Sequence, residues 1–151
     1  MSGMPKAAKK KNKLRQQFGV APYRNRPDGE IEVLLVTSRD TGRWIIPKGW
    51  PMKKGTPLKA ALREGFEEAG VRGKGGAEIG AFDYVKVMEY GRDRPCRVGV
   101  FALEVTEELD DWPERDERTR RWFSLAEAAE AVDESGLKQI LETLPARLAD
   151  A

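Results

Sequence analysis

The segment GWPMKKGTPLKAALREGFEEAGV, residues 49–71, predicts a lysine-rich loop followed by one helix. Thr56 is suited to cap the N-terminus of that helix, and Pro57 is suited to its first position. Gly70 is a natural residue for the end of a helix, because glycine adopts the left-handed conformation found there. The segment therefore predicts a helix over residues 57–69.

Three glutamates of this helix, Glu64, Glu67 and Glu68, stand at i, i+3 and i+4 spacing and crowd one region of its surface. Like charges at this spacing destabilise a bare helix by only roughly 0.2–0.5 kcal/mol per pair, so a solvated acidic face balanced by Arg63 is one interpretation. A divalent metal is the other, because carboxylate oxygens suit Mg²⁺ or Mn²⁺ and the neighbouring basic loop suits a phosphorylated ligand.

The spacing within residues 49–71 resembles the Nudix box, the signature of the Nudix hydrolase superfamily. The residues that match its pattern are Gly49, Arg63, Glu64, Glu67, Glu68, Gly70 and Val71. Two positions depart from it, since Gly55 replaces a glutamate and Gly65 replaces an aliphatic residue. The first departure bears on loop stability and metal stoichiometry, and the second places a glycine inside a helix.

The resemblance implies an α/β fold, the Nudix-type α/β/α sandwich with a mixed central sheet. Apolar and β-branched runs beside this segment agree with strands, and turn-rich sequences join them as two hairpins. The predicted strands are 18–24 with 30–38, the short strand Trp44–Ile46, 77–90 with 96–106, and the strand end at 120–123. Ser124 and Glu127 form a predicted capping box ahead of an Ala-rich helix, and a final amphipathic segment covers residues 135–149.

The net charge of +2 is unevenly distributed along the 151 residues. Residues 1–15 carry six Lys and Arg and no acid, which leaves 21 basic and 25 acidic residues in 16–151. We therefore predict a basic, disordered tail over 1–15 and one Nudix hydrolase domain over 16–151. One cysteine and no histidine exclude an internal disulfide and a histidine base, and the lack of a signal or membrane span favours the cytoplasm.

The resemblance also implies a cofactor, Mg²⁺ or Mn²⁺, and the groups that hold it. The implied metal ligands are Glu64, Glu67, Glu68 and the backbone carbonyl oxygen of Lys48.

The implied catalytic residues are Glu64, Glu67 and Arg63, with Arg63 orienting the glutamates. The general base stays open among Glu67 and two glutamates of a later charged loop, Glu114 and Glu117.

Two further stretches, 37–49 and 108–132, are similar to the diphosphoinositol polyphosphate phosphohydrolases and the diadenosine polyphosphate hydrolases. Basic residues cluster near the predicted metal helix and around a hairpin turn that includes Arg92, as binding of a densely phosphorylated substrate requires. The predicted substrate-binding residues are Arg39, Arg43, Lys48, Lys53, Lys54, Arg94, Arg97 and Arg120. Trp50 could stack on a nucleobase, whereas Trp44 is predicted to lie in the core.

Together these features predict a metal-dependent hydrolase of a phosphoanhydride bond in a polyphosphorylated small molecule. The favoured substrates are diadenosine polyphosphates or diphosphoinositol polyphosphates. The alternatives are ADP-ribose, nucleotide sugars or nucleoside triphosphates, and a non-catalytic module that binds a phosphorylated ligand or RNA. We expect a monomer or homodimer without membrane or nucleic-acid partners.

Overall fold

The computed structural model of the protein describes residues 13–86 and 93–151. The strands are β1 Arg15–Asn25, β2 Ile31–Thr37, β3 Trp44–Ile45, β4 Lys48–Gly49, β5 Val71–Lys86, β6 Arg94–Glu108 and β7 Arg120–Ser124. The helices in these residues are α1 Pro57–Ala69, α2 Leu125–Ala131, α3 Ser135–Glu142 and α4 Leu144–Asp150. None of them has the length and hydropathy that a membrane span requires. Most of the predicted basic tail, residues 1–12, and Arg92 lie outside the described residues.

The strands form one mixed sheet in the order β3-β2-β1-β6-β5, with β4 paired to β1 and β7 paired to β2. Strands β1 and β6 run parallel, whereas the other pairs are antiparallel. Phe18 and Gly19 of β1 pair with β4, and β1 pairs with β2 only from Tyr23 onward. The short β4 therefore enters the sheet beside β1 and carries Lys48 and Gly49 with it.

Both predicted antiparallel strand pairs are present, and residues 87–90 of the second lie outside the described residues. Strand β5 begins at Val71, six residues before the predicted strand over 77–90. The added part, VRGKGG, is rich in glycine, which strand propensity disfavours. Pairing with the long β6 imposes the extended conformation, and the ladder shifts register between Arg72 and Gly73 and again between Gly75 and Glu78. A non-local partner thus overrides the local preference.

The sheet is buried on both faces, as an α/β/α sandwich requires. Val33 and Leu35 of β2 pack on the side that carries α2, α3 and α4, where Leu137 and Leu141 are fully buried. Leu34, one position along, packs on the side that carries α1. The predicted fold class is therefore confirmed, and Trp44 packs against the core with its ring 4.9 Å from that of Phe123, as predicted.

Helix α1 has the predicted bounds. The Thr56 side chain accepts a hydrogen bond from the Lys59 backbone N–H, and Gly70 ends the helix at φ 65°. A β-carbon at Gly65 would lie 3.1 Å from Val20 Cγ2 and 3.4 Å from Leu103 Cδ2. Glycine at this position therefore lets α1 lie close to the sheet.

The presence of glycine rather than glutamate at position 55 also has a structural explanation. Its φ of 123° is one that L-residues rarely adopt, and a β-carbon there would have ordinary space, 3.8 Å from Met52 Cε. The conformation of the loop therefore favours glycine, and a glutamate at this position would be strained by roughly 1–2 kcal/mol.

Candidate active site

A cleft of about 320 Å³ lies between α1, β4, the end of β5 and the loop before β7. The carboxylates that line it include Glu64, Glu68 and Glu114. The cations that line it include Arg39, Arg43, Lys48 and Lys86. The cleft thus brings carboxylates suited to a metal next to cations suited to phosphate.

Glu64 is held against the backbone of β4. A β-carbon on Gly49 would lie 2.5 Å from Glu64 Cδ and 2.7 Å from its Oε2, so only glycine admits the carboxyl group here. Lys48, whose carbonyl oxygen is a predicted metal ligand, is the neighbouring residue of β4. Gly49 and Glu64, two residues that match the Nudix box, are therefore in direct contact.

Glu68 is the more buried of the two cleft glutamates of α1, with 4% of its surface exposed. Its carboxyl group contacts that of Glu64, while its Oε1 is buried without a hydrogen-bond partner. Burial raises the pKa of Glu68 from its ordinary 4.5 to about 8, although the Arg118 guanidinium 3.7 Å away opposes that rise. Burial raises the pKa of Glu64 as well.

These pKa values predict a pH-dependent stability for the metal-free protein. The folded chain keeps Glu68 protonated at a pH where the unfolded chain ionises it, so its stabilising contribution is full below about pH 4.5 and is lost as the pH rises through 8. We expect the free energy of unfolding in EDTA to fall between pH 5 and 8, by up to about 1.4 kcal/mol per pH unit for this proton. Urea titrations at several pH values measure it.

The matched control is Glu68→Gln, which replaces the titrating carboxyl group with an amide that does not titrate. The stability of this variant is therefore expected to vary less over the same interval. Lys48 does not disturb this window. Desolvation lowers its pKa to about 8, so over most of this interval it is charged in both the folded and the unfolded chain. A wild-type stability that is flat or rises from pH 5 to 8 would contradict the raised pKa of Glu68.

Glu67, unlike Glu64 and Glu68, does not line the cleft. Its carboxylate accepts a hydrogen bond from Arg63 Nε and lines a second, open cavity of about 690 Å³, which we call the outer groove. The outer groove is lined by Trp50, Pro51, Met52, Lys53, Lys54, Arg63, Glu64 and Glu67. Within residues 13–86 and 93–151, no three Asp, Glu or Cys side chains come together as a ready metal cluster.

The predicted substrate-binding residues divide into three groups. Arg39, Arg43 and Lys48 line the cleft, where Arg39 pairs with Glu117 at 3.3 Å and Arg43 pairs with Glu134. Lys53 and Lys54 line the outer groove.

Arg94, Arg97 and Arg120 line neither of these cavities. Arg94 lies opposite Lys86 in the β5–β6 ladder, and Arg97 donates to both carboxylate oxygens of Asp83, at 2.8 and 3.1 Å.

Arg120 has a structural role at the end of α1. Its guanidinium donates to the carbonyl oxygens of Ala69 at 2.9 Å and Leu109 at 2.7 Å, and it covers the Trp112 ring at 4.0 Å. The first bond satisfies a carbonyl at the helix C-terminus, and the second ties that end of the helix to the residue after β6. The structure therefore gives no support to Arg120 as a substrate ligand.

Arg118 is a site residue that the sequence reasoning missed. It is 7% exposed, donates to Glu114 Oε1 at 2.7 Å and to the Thr37 carbonyl at 3.0 Å, and lies 3.7 Å from Glu68. In the sequence it is one of several arginines in a charged loop, and nothing distinguishes it from its exposed neighbours. Of the two predicted loop bases, Glu114 lines the cleft, whereas Glu117 pairs with Arg39.

Gln17 and Tyr84 were also missed. Tyr84 donates to Gln17 Oε1 at 2.7 Å, and Lys48 Nζ lies 4.7 Å from the centre of the Tyr84 ring. Both residues line the cleft, so they fix its basic end. Their strands β1 and β5 are joined through β6, and no local sequence signal indicates that they meet.

The donor set fits a divalent metal. Glu68 Oε1 is a buried carboxylate oxygen without a hydrogen bond, Glu64 is in contact with Glu68, and both line the cleft. Hard divalent cations take such oxygen ligands, and a cation would compensate for the burial of two adjacent carboxylates.

Comparisons with known proteins find similarity in sequence and in fold. The NUDIX domain model matches residues 13–144. The chain is 35% identical over 147 residues to Nudix hydrolase 12, mitochondrial, from Arabidopsis thaliana, a match that covers 87% of this chain and 72% of that protein.

It is 43% identical over 110 residues to diphosphoinositol polyphosphate phosphohydrolase 3-alpha from Mus musculus, which covers 71% of this chain and 63% of that protein. The chain thus spans less than two thirds of the mouse protein. A solved Ap4A hydrolase from C. elegans superposes with a TM-score of 0.68 over 91% of this chain and all of that one, at 23% identity, and so shares the fold.

Proposed function

This chain belongs to the NUDIX family, and from that premise we propose that it hydrolyses a phosphoanhydride bond in a polyphosphorylated small molecule with the help of Mg²⁺ or Mn²⁺. The family match and the hydrolases among the relatives support an enzyme that acts on phosphoanhydride bonds. Substrate, metal and site residues are proposals.

The observation that carries this proposal is the charge arrangement of the cleft. Glu64 and Glu68 on one side lie in the same cavity as Arg39, Arg43 and Lys48. Carboxylates alone would repel a phosphate, and cations alone would only bind it. Side by side, they suit a site where a metal and a phosphate chain bind together.

We propose that Glu64 and Glu68 hold the metal with the Lys48 carbonyl oxygen, and that Glu67 contributes only if it leaves Arg63. When bound, a divalent cation neutralises phosphate oxygens and lowers the pKa of a bound water. Arg39, Arg43 and Lys48 would bind the phosphate chain and orient it, and Arg118 would keep Glu68 and Glu114 in place.

Glu114 is the favoured general base. Its side chain lines the cleft, and its backbone N–H donates a hydrogen bond to the Glu67 carbonyl at 3.0 Å. The loop is thus fixed to α1, so that the carboxylate is placed beside the metal ligands without being one of the three helical glutamates. Each of the three candidates pairs with an arginine, Glu114 with Arg118, Glu67 with Arg63 and Glu117 with Arg39. What favours Glu114 is therefore its position, because it lines the cleft and the other two do not.

The favoured substrates are diadenosine polyphosphates or diphosphoinositol polyphosphates. The names of the mouse and C. elegans relatives support these two classes, and the basic residues in both cavities provide for several phosphates. The predicted cytoplasmic location stays a prediction, and the Arabidopsis relative is named as mitochondrial.

A substrate panel tests the proposal. Purified protein is incubated with diadenosine tetra- to hexaphosphate, a diphosphoinositol polyphosphate, ADP-ribose and nucleoside triphosphates, with Mg²⁺, Mn²⁺ or EDTA. We expect turnover of the long polyphosphates that EDTA abolishes. Turnover confined to ADP-ribose or triphosphates would discard the favoured substrates, and binding without turnover of any compound would support the non-catalytic alternative.

A further inference from the structure

We propose that Trp50 and Val85 form a nucleobase-binding surface, the apolar lip, at the edge of the cleft. This inference rests on the proposed function and deepens it, because it selects the nucleoside polyphosphates from the two favoured substrate classes. The fold alone does not require either side chain to be apolar or exposed.

The first observation is exposure. Among the described residues, the exposed large hydrophobic side chains are Leu14, Trp50 and Val85, which are 39%, 44% and 57% exposed. Two of the three, Trp50 and Val85, line the cleft. Trp50 follows β4 and Val85 lies near the end of β5, so two separate segments bring apolar surface to one edge of a charged cavity. Such surface beside a polar cavity indicates a ligand with an apolar part.

The second observation is that the other three tryptophans have structural roles. Trp44 packs on Phe123, Trp112 donates to the Glu68 carbonyl at 3.1 Å, and Trp122 donates to Glu108 at 3.1 Å. Lys86 Nζ lies 6.0 Å from the centre of the Trp50 ring. Because the Trp50 indole is 44% exposed, it offers open surface on which a ligand can stack.

The third observation is position. Trp50 and Glu64 line both the cleft and the outer groove, so they lie where the two cavities adjoin. If a phosphate chain binds beside Glu64, the nucleoside at the end of that chain would lie near Trp50. Lys48 and Lys86 line the same cleft and supply positive charge for the adjoining phosphates.

The chemistry of this junction favours a nucleoside polyphosphate. Every nucleobase presents two flat π faces, so any of the bases can stack on an aromatic side chain. A diphosphoinositol polyphosphate carries anionic groups around its whole ring and has no comparable apolar face. An apolar lip would leave such a ligand with charged groups against indole and valine, so the lip suits the nucleobase.

Equilibrium binding isolates this role from turnover. The dissociation constants of ADP and inorganic pyrophosphate are measured by calorimetry with Mg²⁺, for the wild type and for Trp50→Ala, Trp50→Phe and Leu14→Ala. Base stacking on an aromatic residue predicts that ADP binds the wild type roughly tenfold more tightly than pyrophosphate. Trp50→Ala is expected to remove this difference without changing the pyrophosphate constant, and Trp50→Phe to keep most of it.

Leu14→Ala is the matched control, because it truncates an exposed apolar side chain that does not line the cleft. The lip is overturned if wild type fails to prefer ADP, if Trp50→Ala keeps that preference, or if Trp50→Ala weakens both ligands equally. Kinetics supply a second readout, in which Trp50→Ala raises KM for diadenosine pentaphosphate and leaves kcat near the wild-type value. A wild type without turnover would count against the proposed function, while the binding experiment would still decide the lip.

Discussion

Glu68→Gln is expected to reduce metal-dependent turnover by roughly 10³-fold or more while the protein stays folded. A metal that polarises phosphate oxygens and activates water contributes several kcal/mol to the transition state, and each 1.4 kcal/mol corresponds to tenfold in rate. A neutral amide is a poorer ligand for Mg²⁺ than the carboxylate it replaces. Steady-state kinetics on the best substrate of the panel measure the loss.

The fold is expected to survive because burial already favours the neutral form of this side chain. The pKa of Glu68 is raised to about 8, so the metal-free protein near neutral pH holds a protonated carboxyl group that glutamine imitates in shape and charge. We therefore expect the Tm of Glu68→Gln in EDTA at pH 8 to equal or exceed that of the wild type. The same variant should lose the stabilisation that Mg²⁺ gives the wild type.

Glu107→Gln is the matched control for this prediction. Glu107 is an exposed residue of β6 that pairs with Arg72 at 3.8 Å and lines neither cavity. Its substitution should leave turnover and the Mg²⁺ effect on Tm unchanged. Wild-type turnover by Glu68→Gln would remove Glu68 from the metal site.

Arg118→Met is expected to destabilise the protein by about 3–5 kcal/mol, the second large effect. Removal of one partner of a buried ion pair leaves the others charged without compensation. Here it would leave the Glu114 carboxylate without its partner at 2.7 Å, and it would also remove the hydrogen bond to the Thr37 carbonyl. Urea denaturation monitored by circular dichroism measures the loss.

A double-mutant cycle identifies the partner responsible. If the loss arises from the unpaired carboxylate of Glu114, Arg118→Met should destabilise a Glu114→Gln protein less than the wild type. Arg115→Met is the control from the same loop, since Arg115 is 56% exposed and 3.8 Å from Asp111. An exposed pair contributes at most about 1 kcal/mol, so equal losses for the two variants would contradict the buried role of Arg118.

Local features of the fold could be predicted from the sequence because their causes are local. Helix α1 follows from Thr56, Pro57 and Gly70, each of which favours one conformation at one position. The capping box of Ser124 and Glu127 is present for the same reason. The pairing of β1 with β2 follows from the short turn between them, since nearby strands lose little entropy on pairing.

Long-range pairing could not be predicted in this way. The parallel contact of β1 with β6 joins residues about eighty positions apart, such as Arg15 and Cys96, and no turn between them specifies it. The pairing of β5 with β6 likewise draws the glycine-rich start of β5 into the sheet. Glycine at position 65, where the Nudix box has an aliphatic residue, is likewise explained only by the tertiary structure, because Val20 and Leu103 of the sheet lie close to the helix there.

The sequence by itself determined the NUDIX family, the α/β/α sandwich and the helix that carries Glu64 and Glu68, because the spacing of charges along a helix is set by its geometry. Only the tertiary structure decided which charges share an environment. It buried Arg118 beside Glu68, placed Glu114 in the lining of the cleft, and kept Arg120 at the end of α1. The physical reason is that charge interactions depend on distance and burial, and both are set by chain segments that are remote in sequence.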